Sequence, residues 1–409
     1  MPVTEPGLAS LGGGGFMMIR DPDGHVRLLD FFAAVPSRRQ AEMTLVTVEF
    51  SGARQDFEVG QGSVAVPGVL PGLLRAHDEH GRLPRTEVLA AAHRLVRAGA
   101  ALTDAQALVL QLIGDVLTLT PASAEVFAPG GKLLTAGEVL RNPAYAAFVQ
   151  ELLDGRDALP AVGPLLSQDM AAYRVYEREP LQVDLPGATV LTNPGPSLGG
   201  SIIAYALAEL PADPRAIDLL DALREATEHN KAQAPVSVRG TTHLSVTDGE
   251  QTVSMTVSNG SNSGVMLGDT GVQLNNMMGE SDLHPDGAPV VPGARIRSMM
   301  APSMVQAGGV VTALGTGGSE RIRSALTRVI AQLVRGVDLQ TAIDAPRIHL
   351  DNDGVIQLEP GFPVDEVAEL PARLSQWRER DFYFGGVHAV SSDGVAAADF
   401  RRGGHTGRA

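Results

Sequence analysis

The chain has 409 residues, of which 44% are hydrophobic, and this length is sufficient for a large buried core. Its formal net charge of −15 at pH 7 argues against nucleic acid or an anionic membrane surface as the main partner. Because the sequence contains no cysteine, disulfides, thiolate catalysis and zinc–thiolate sites are excluded.

The first residues do not predict an export signal, because they contain no basic region followed by an apolar segment. No apolar run reaches the length of about 18 residues that a membrane-spanning helix needs. A cytoplasmic location is the simpler expectation for the sequence as written. The compartment stays open, because secreted bacterial proteins can also lack cysteine.

The N-terminal part of the chain predicts β-strands at residues 16–20, 26–32 and 45–50. Turn signals such as Asp21-Pro22-Asp23-Gly24 separate these segments. Residues 68–235 are predicted to be mostly helical, because Ala- and Leu-rich periodic segments alternate with Pro and Gly.

After Gly240 the sequence predicts two β-hairpins. Residues 242–247 and 252–258 flank the turn signal Asp248-Gly249, and residues 303–306 and 310–314 flank two glycines. A helix follows over residues 319–335, with Ser319 expected to cap its beginning and Gly336 to end it. Hairpins beside helices indicate a layered α/β or α+β fold.

Thr241, which follows Gly240 directly, is the first candidate for chemistry. A hydroxyl is a weak nucleophile until a base takes its proton. If the chain is cut before Thr241, the freed α-amine lies on the same residue and has a pKa of roughly 7.7–8.0, so it can act as that base. On its own, the short segment is more typical of a strand that begins after a turn.

Consecutive glycines provide a second candidate at Gly317 and Gly318, ahead of the helix at 319–335. Backbone N–H groups in such a position suit an anion or a developing oxyanion, although a plain strand-to-helix turn has the same pattern. The segment lacks the lysine of a P-loop, which argues against a nucleotide phosphate site.

A third glycine-rich segment, Gly12-Gly13-Gly14-Gly15, precedes a predicted strand. No helix follows it, so a dinucleotide-binding loop is excluded. Close approach of two backbones is the better interpretation.

The loop at residues 274–280 contains two asparagines and ends at Glu280. Such a group could hold an ammonium ion, and a capped polar loop is the alternative interpretation. The nearby Asp282 and His284 are too few for a metal site. We therefore predict no metal and no cofactor.

These pieces, in this order, resemble the γ-glutamyltranspeptidase family along nearly the whole chain. The segment Thr241-Thr242-His243-Leu244-Ser245-Val246, followed by Asp248, resembles the diagnostic TTHxSVVD motif of that family. The other matching segments are Gly12-Gly13-Gly14-Gly15-Phe16, Ser63-Val64-Ala65-Val66-Pro67-Gly68, Gly81-Arg82-Leu83-Pro84, Asp169-Met170-Ala171-Ala172-Tyr173 with Arg178-Glu179-Pro180, Pro196-Ser197-Leu198-Gly199-Gly200, Leu274-Asn275-Asn276, Gly317-Gly318-Ser319, Ala345-Pro346-Arg347 and Asp399-Phe400-Arg401-Arg402-Gly403.

The resemblance implies the four-layer αββα sandwich of N-terminal-nucleophile hydrolases. It also implies self-cleavage between Gly240 and Thr241 into a large-subunit portion, residues 1–240, and a small-subunit portion, residues 241–409, that remain associated in one intertwined fold. Thr241 would be the nucleophile in both self-cleavage and turnover. Gly317 and Gly318 would form the oxyanion hole, and Ser258 would hydrogen-bond the nucleophile.

The substrates implied by the resemblance are small γ-glutamyl amides such as glutathione. Thr241 would carry the acyl group, and water or an amino acid would accept it. No nucleic acid or membrane partner is implied.

The residues expected to bind the substrate depart from the family pattern. Phe32 stands where relatives carry an arginine that grips the substrate carboxylate, so a bidentate cation has become an apolar ring. Of the paired serines of the family only Ser298 is kept, and Met299 follows it. Met277 replaces a glutamine or glutamate.

Two further positions retain polar character. Glu280 replaces an aspartate and keeps its charge. Asn259 is the candidate for the substrate-binding asparagine of the family, although the loop after Ser258 is shorter here. The machinery for self-cleavage and acylation is therefore present, whereas the residues that would grip a glutamyl group are partly replaced by Met and Phe.

Three functional hypotheses follow. The first is a γ-glutamyl transferase or hydrolase, and the second is a related acylase with a less polar acyl substrate, which Phe32, Met277 and Met299 would suit. The third is an inactive truncated homologue. Relatives carry a longer segment with an alanine-rich helix before the glycine run, and its loss would uncover apolar surface at a cost of several kcal/mol.

Overall fold

The computed structural model describes residues 3–38, 41–50, 53–230, 240–280, 283–284, 290–351, 353–368, 370 and 372–408. The strands are β1 (Gly14–Arg20), β2 (Val26–Phe31), β3 (Thr44–Phe50), β4 (Ala53–Val59), β5 (Ala100–Ala101), β6 (Val139–Leu140), β7 (Tyr176–Arg178), β8 (Leu181–Leu185), β9 (Ala188–Thr192), β10 (Gly240–Thr247), β11 (Thr252–Gly260), β12 (Ser303–Ala307), β13 (Val310–Gly317), β14 (Ile348–Leu350), β15 (Val355–Leu358), β16 (Arg373–Gln376), β17 (Gly386–Ser391) and β18 (Ala396–Ala397).

The helices are α1 (Val69–His80), α2 (Arg85–Ala98), α3 (Asp104–Leu112), α4 (Gly114–Leu117), α5 (Pro121–Phe127), α6 (Pro143–Leu153), α7 (Ser167–Ala172), α8 (Leu198–Glu209), α9 (Ala216–His229), α10 (Arg321–Val334) and α11 (Leu339–Asp344). Within the described ranges, none of them is long and apolar enough to cross a membrane.

Two antiparallel sheets form the centre of the molecule. The first has the strand order β10-β11-β1-β2-β7, and the second has the order β18-β17-β13-β12-β9-β8. Each sheet combines strands from before and after Thr241, since β1 pairs with β11 and β9 pairs with β12. Strands β10 and β11 contact β13 across the space between the sheets.

The side chains of β1 alternate between two apolar layers, as expected for a strand that is covered on both faces. Phe16 and Met18 belong to the cluster that contains the second sheet and α10. Met17 and Ile19 belong to the cluster that contains α3 and α6. Helices therefore cover the outer face of each sheet, and the four-layer αββα architecture expected from the sequence is confirmed.

The predicted hairpins around Gly249 and Gly308-Gly309 are confirmed, as are the three N-terminal strands. The prediction of a mostly helical segment over 68–235 was incomplete, because β7, β8 and β9 lie within it. Strand β7 pairs with β2, and β9 pairs with β12, so both depend on segments distant in sequence that local periodicity does not reveal. Strand β8 pairs with its neighbour β9.

The prediction that Ser319 caps α10 was wrong. Ser319 has a φ of 54°, and its buried hydroxyl has no hydrogen-bond partner among the described residues. Helix α10 begins instead at Arg321. Gly336 ends it as expected, because its φ of 80° suits glycine at this position.

The glycines before β1 lie against other backbones, as the sequence indicated. A Cβ on Gly12 would overlap the carbonyl oxygen of Gln273, and one on Gly13 would overlap that of Ser258. The absence of side chains here lets β1 and the end of β11 approach closely. This contact ties the N-terminal segment to the strand that faces Thr241.

Candidate active site

Thr241 lies at an edge of the first sheet, in β10, where 7% of its surface is exposed. The pairing of β10 with β11 shifts register between Gly240 and Thr242, which align with Gly260 and Val257. Ser258 and Asn259 therefore both lie opposite Thr241. Such a β-bulge redirects side chains locally and is common beside active sites.

Ser258 connects the Thr241 hydroxyl to the peptide bond before it. The Ser258 hydroxyl donates a hydrogen bond of 2.5 Å to the Gly240 carbonyl oxygen and accepts one of 2.9 Å from the Gly260 N–H. The Thr241 hydroxyl lies 3.5 Å from the Ser258 oxygen. The peptide bond expected to be cut therefore has a hydroxyl nucleophile beside it and a hydrogen-bond donor on its carbonyl.

Gly240 and Thr241 are consecutive residues of β10, so the nitrogen of Thr241 is part of a peptide bond. In this continuous chain, Thr241 therefore has no free α-amine.

Gly317 and Gly318 lie across the sandwich from Thr241, at the end of β13. A Cβ on Gly317 would overlap the carbonyl oxygen of Thr241 and would lie 3.0 Å from Nη1 of Arg402. Gly318 has a φ of 132°, which favours glycine. The sequence-predicted residues Thr241, Ser258 and Gly317 are therefore brought together, with Gly318 next in the chain.

A cleft of about 990 Å³ opens beside Thr241. Its lining includes residues 241–248, parts of β17, Gly317 and residues 402–408. Leu244 and Val246 give one wall an apolar character, because half of each side chain is exposed there. A small substrate has room in this cleft.

Two histidines beside the cleft are uncharged at neutral pH. Burial holds the pKa of His243 well below its usual range, and the neighbouring His388 lowers it further. Burial also lowers the pKa of His388 to about 4. Both nitrogens of His243 lie 2.8 Å from hydroxyls, those of Thr256 and Ser245, so this ring has a bridging role between strands.

Sequence reasoning did not identify two charged residues of the cleft, Glu5 and Arg402. The Glu5 carboxylate accepts a hydrogen bond of 3.1 Å from the Thr242 hydroxyl, and burial raises its pKa above the usual range. Arg402 belongs to a motif that was recognised, but nothing in the local sequence distinguishes it from Arg401. Their surroundings differ, because Arg401 is fully engaged with Glu359 and Asp399.

Two of the predicted substrate-binding residues, Asn259 and Glu280, lie in a buried polar network behind the bulge. Asn259 exchanges hydrogen bonds with the Ser10 hydroxyl at 3.0 and 3.1 Å. Glu280 accepts hydrogen bonds from the backbone N–H and the hydroxyl of Ser261, at 2.9 and 3.0 Å. Neither residue lines the cleft as it is described.

The other four predicted substrate-binding residues are packed in the interior. Phe32 is buried and stacks on Phe16 with ring centroids 5.4 Å apart. Met277 belongs to the same apolar cluster, and Met299 packs against it. The Ser298 hydroxyl accepts a hydrogen bond of 3.0 Å from the Met300 N–H. None of these four residues lines the cleft beside Thr241, so their role in substrate binding stays a prediction.

The asparagines of the 274–280 loop bind backbone. Asn275 contacts Gly12 and Ala65, and Asn276 accepts a hydrogen bond from the Ser261 N–H. The ring of His284 lies 2.8 Å from the Met277 carbonyl oxygen, and Asp282 lies outside the described residues. In the part of the chain that the structure describes, no three or more His, Asp or Glu side chains form a group suited to a metal ion.

The fold is that of the N-terminal-nucleophile hydrolases. A cephalosporin acylase from Bacillus halodurans superposes with a TM-score of 0.81 over 99% of this chain and 89% of that one, at 21% sequence identity. A threonine on an edge strand, here Thr241, with two glycines nearby whose backbone N–H groups could bind an oxyanion, is consistent with this class.

The sequence model described as Gamma-glutamyltranspeptidase matches residues 1–213 and 212–408, and the chain belongs to this family. It is similar to the Acylase ACY 1 proenzyme of Pseudomonas sp. strain SE83, with 29% identity over 96% of this chain and 83% of that protein. It is also similar to the Glutathione hydrolase proenzyme of Escherichia coli strain K12, with 26% identity over 91% of this chain and 79% of that protein. The chain is thus an enzyme of a hydrolase and transferase family.

Proposed function

We propose that this enzyme cleaves itself before Thr241 and then hydrolyses or transfers the acyl group of small amides through an acyl-Thr241 intermediate. The observation that carries the proposal is the arrangement of Thr241, Ser258 and the Gly240 carbonyl. The Ser258 hydroxyl oxygen lies 3.5 Å from the Thr241 hydroxyl, the proposed nucleophile, and 2.5 Å from the Gly240 carbonyl oxygen, to which it donates.

Self-cleavage begins when the Thr241 hydroxyl oxygen attacks the Gly240 carbonyl carbon. The Gly240–Thr241 amide bond then breaks, the proton given up by the hydroxyl ends on the Thr241 nitrogen, and an ester joins Gly240 to the Thr241 oxygen. Water hydrolyses this ester, which leaves a carboxylate on Gly240 and a free α-amine on Thr241. Ser258 stabilises the negative charge that develops on the Gly240 oxygen.

Turnover repeats this chemistry on a substrate. The freed α-amine takes the hydroxyl proton, and the backbone N–H groups of Gly317 and Gly318 receive the oxyanion of the attacked amide. The leaving amine departs with a proton, and water or an amino acid then accepts the acyl group. Burial makes both histidines weak bases, since the pKa of His388 is about 4 and that of His243 is held well below its usual range. Both nitrogens of His243 also contact hydroxyls, so the α-amine is the base of this mechanism.

γ-Glutamyl amides such as glutathione are the first candidate substrates. The relative from Escherichia coli that covers 91% of this chain carries the name glutathione hydrolase. The match of the family along both portions of the chain supports the same class.

Amides of less polar acids are the second candidate, and the apolar wall of the cleft favours them. Leu244 and Val246 line the cleft, and about half of each residue is exposed. An apolar acyl chain suits such surroundings better than a charged amino acid does. The similar protein from Pseudomonas that is named an acylase supports this candidate.

The p-nitroanilides of γ-glutamate and of an unbranched fatty acid distinguish the two candidates in the self-cleaved enzyme. A higher kcat/KM for the γ-glutamyl compound supports the first, and equal or faster release from the fatty-acyl compound supports the second. In either case the 241–409 fragment gains the mass of the acyl group during turnover. A processed enzyme that releases nitroaniline from neither compound overturns the proposal.

A further inference from the structure

Resting on the proposed acyl-Thr241 function, we propose that Arg402 binds a carboxylate of the substrate at the cleft. The enzyme would then prefer acyl groups or acceptors that carry a carboxylate. Arg402 would be a specificity-determining residue.

The guanidinium group of Arg402 is buried and unsatisfied. Its Nε, Nη1 and Nη2 atoms are each shielded from solvent and have no hydrogen-bond partner within the described residues. A guanidinium offers five N–H donors, and an unpaired buried charge is costly. A carboxylate that enters the cleft would remove this cost by forming charge-assisted hydrogen bonds.

The Arg402 guanidinium would place such a carboxylate beside Thr241 and the two glycines of the proposed oxyanion hole. Nη1 lies 3.0 Å, and Nη2 3.6 Å, from the points where Cβ atoms on Gly317 and Gly318 would stand. The same point on Gly317 is in contact with the Thr241 carbonyl oxygen. A carboxylate on Arg402 would therefore lie within a few bonds of an amide held at Thr241.

Phe382 fixes the orientation of the guanidinium. The Arg402 Cζ atom lies 3.7 Å from the centroid of the Phe382 ring. This stacking occupies one face of the guanidinium and leaves its edge, which carries the N–H donors, for a planar partner. Carboxylates match that edge with two parallel hydrogen bonds.

The charged neighbours leave Arg402 available. Asp399 is engaged by Arg347 and Arg401, and Glu5 is bonded to the Thr242 hydroxyl. Burial lowers the pKa of Arg402 to about 9, Arg321 and Arg347 add to this effect, and Asp399 and Glu5 oppose it. Within the described residues no carboxylate is hydrogen-bonded to the Arg402 guanidinium, so its donors are left for an incoming anion.

The inference also accounts for the replacement of the arginine expected at position 32. Phe32 is buried in the core and does not line the cleft, whereas Arg402 does line it. A carboxylate-binding cation would thus be present, but at another position of the chain.

Two pairs of compounds test the inference in the self-cleaved enzyme. For the acyl side, glutaryl-p-nitroanilide is compared with its terminal amide. For the acceptor side, glycylglycine is compared with glycylglycinamide. In the wild-type enzyme we expect kcat/KM to favour the carboxylate in at least one pair by about 10- to 100-fold, and R402M to bring that ratio close to one.

Three measurements complete the design. R402K keeps the charge without the planar edge and should retain part of the preference. R380M removes an arginine that stacks on the Phe400 ring outside the cleft, and it should leave the preference unchanged. Binding of glutarate by calorimetry should weaken in R402M, and this readout does not depend on turnover.

Equal kcat/KM for both members of both pairs in the wild-type enzyme, with identical glutarate affinity in wild type and R402M, overturns the inference. If R402M does not fold, unchanged ratios and glutarate affinity in R402K overturn it. A processed enzyme that cleaves no amide contradicts the proposed function, and glutarate binding still decides the role of Arg402.

Discussion

At the scale of single residues, the proposed self-cleavage rests on the contacts of Ser258. The Ser258 hydroxyl contacts the Gly240 carbonyl oxygen at 2.5 Å, and the Thr241 hydroxyl is 3.5 Å from Ser258. In that proposal Ser258 would act on the peptide bond through its carbonyl and would orient the Thr241 hydroxyl.

We expect S258A to cut itself about 100-fold more slowly than the wild type, because the oxygen of the attacked carbonyl loses a hydrogen-bond donor. The measurement is the rate at which the 241–409 fragment appears on a denaturing gel. S254A is the matched control, since Ser254 lies on β11 like Ser258 but its hydroxyl donates to the Leu314 carbonyl of β13. Equal rates in S258A and wild type, or equal slowing in S254A, would contradict this role.

The resemblance to γ-glutamyltranspeptidases predicted Thr241, Ser258 and Gly317 as site residues, and the structure brings the three together. Sequence motifs could not predict Arg402, since its isolation depends on which partners Arg401 takes from distant segments. The burial of Phe32 likewise depends on the second sheet, and no local pattern records that contact.

At the scale of secondary structure, the contact between β10 and β13 sets the geometry around Thr241. The bulge opposite Thr241 lies in β11. Because Gly317 has no side chain, β13 of the second sheet can approach the Thr241 backbone closely. Hairpin signals around Gly249 and Gly308 predicted both pairs of strands. The way in which the two hairpins stack could not be predicted, because it depends on packing between sheets.

We expect G317A to disturb this contact, because a Cβ there would overlap the Thr241 carbonyl oxygen and the backbone must move. The free energy of unfolding should fall by about 1–3 kcal/mol, and self-cleavage should slow. Urea denaturation and the cleavage assay provide the measurements.

G308A is the control for that change. It lies in the turn of the same hairpin, and a Cβ there meets no atom within 4 Å. Its φ of 56° should cost about 1 kcal/mol while the cleavage rate stays at the wild-type value. If G317A cleaves itself as fast as G308A, the contact between β13 and Thr241 is not required.

At the scale of the whole molecule, both sheets are built from residues on the two sides of Thr241. Strand β1 lies between β11 and β2, and β12 lies between β13 and β9. Separation of the two portions would break both sheets and expose the apolar layer between them. We therefore expect the two portions to stay associated after a cut at residue 240.

We expect the fragments 1–240 and 241–409 to elute together in size-exclusion chromatography without denaturant and to separate in urea. A single cooperative unfolding transition should accompany this behaviour. Two separate peaks in the absence of urea would contradict the shared sheets.

Mass spectrometry of the purified chain during incubation tests the central claim most directly. The account predicts that the wild type separates into two fragments, of which the smaller begins at Thr241, and that T241A stays whole under the same conditions. A wild-type chain that remains intact, or a T241A chain that is cut at the same bond, would contradict the assignment of Thr241 as the self-cleaving nucleophile.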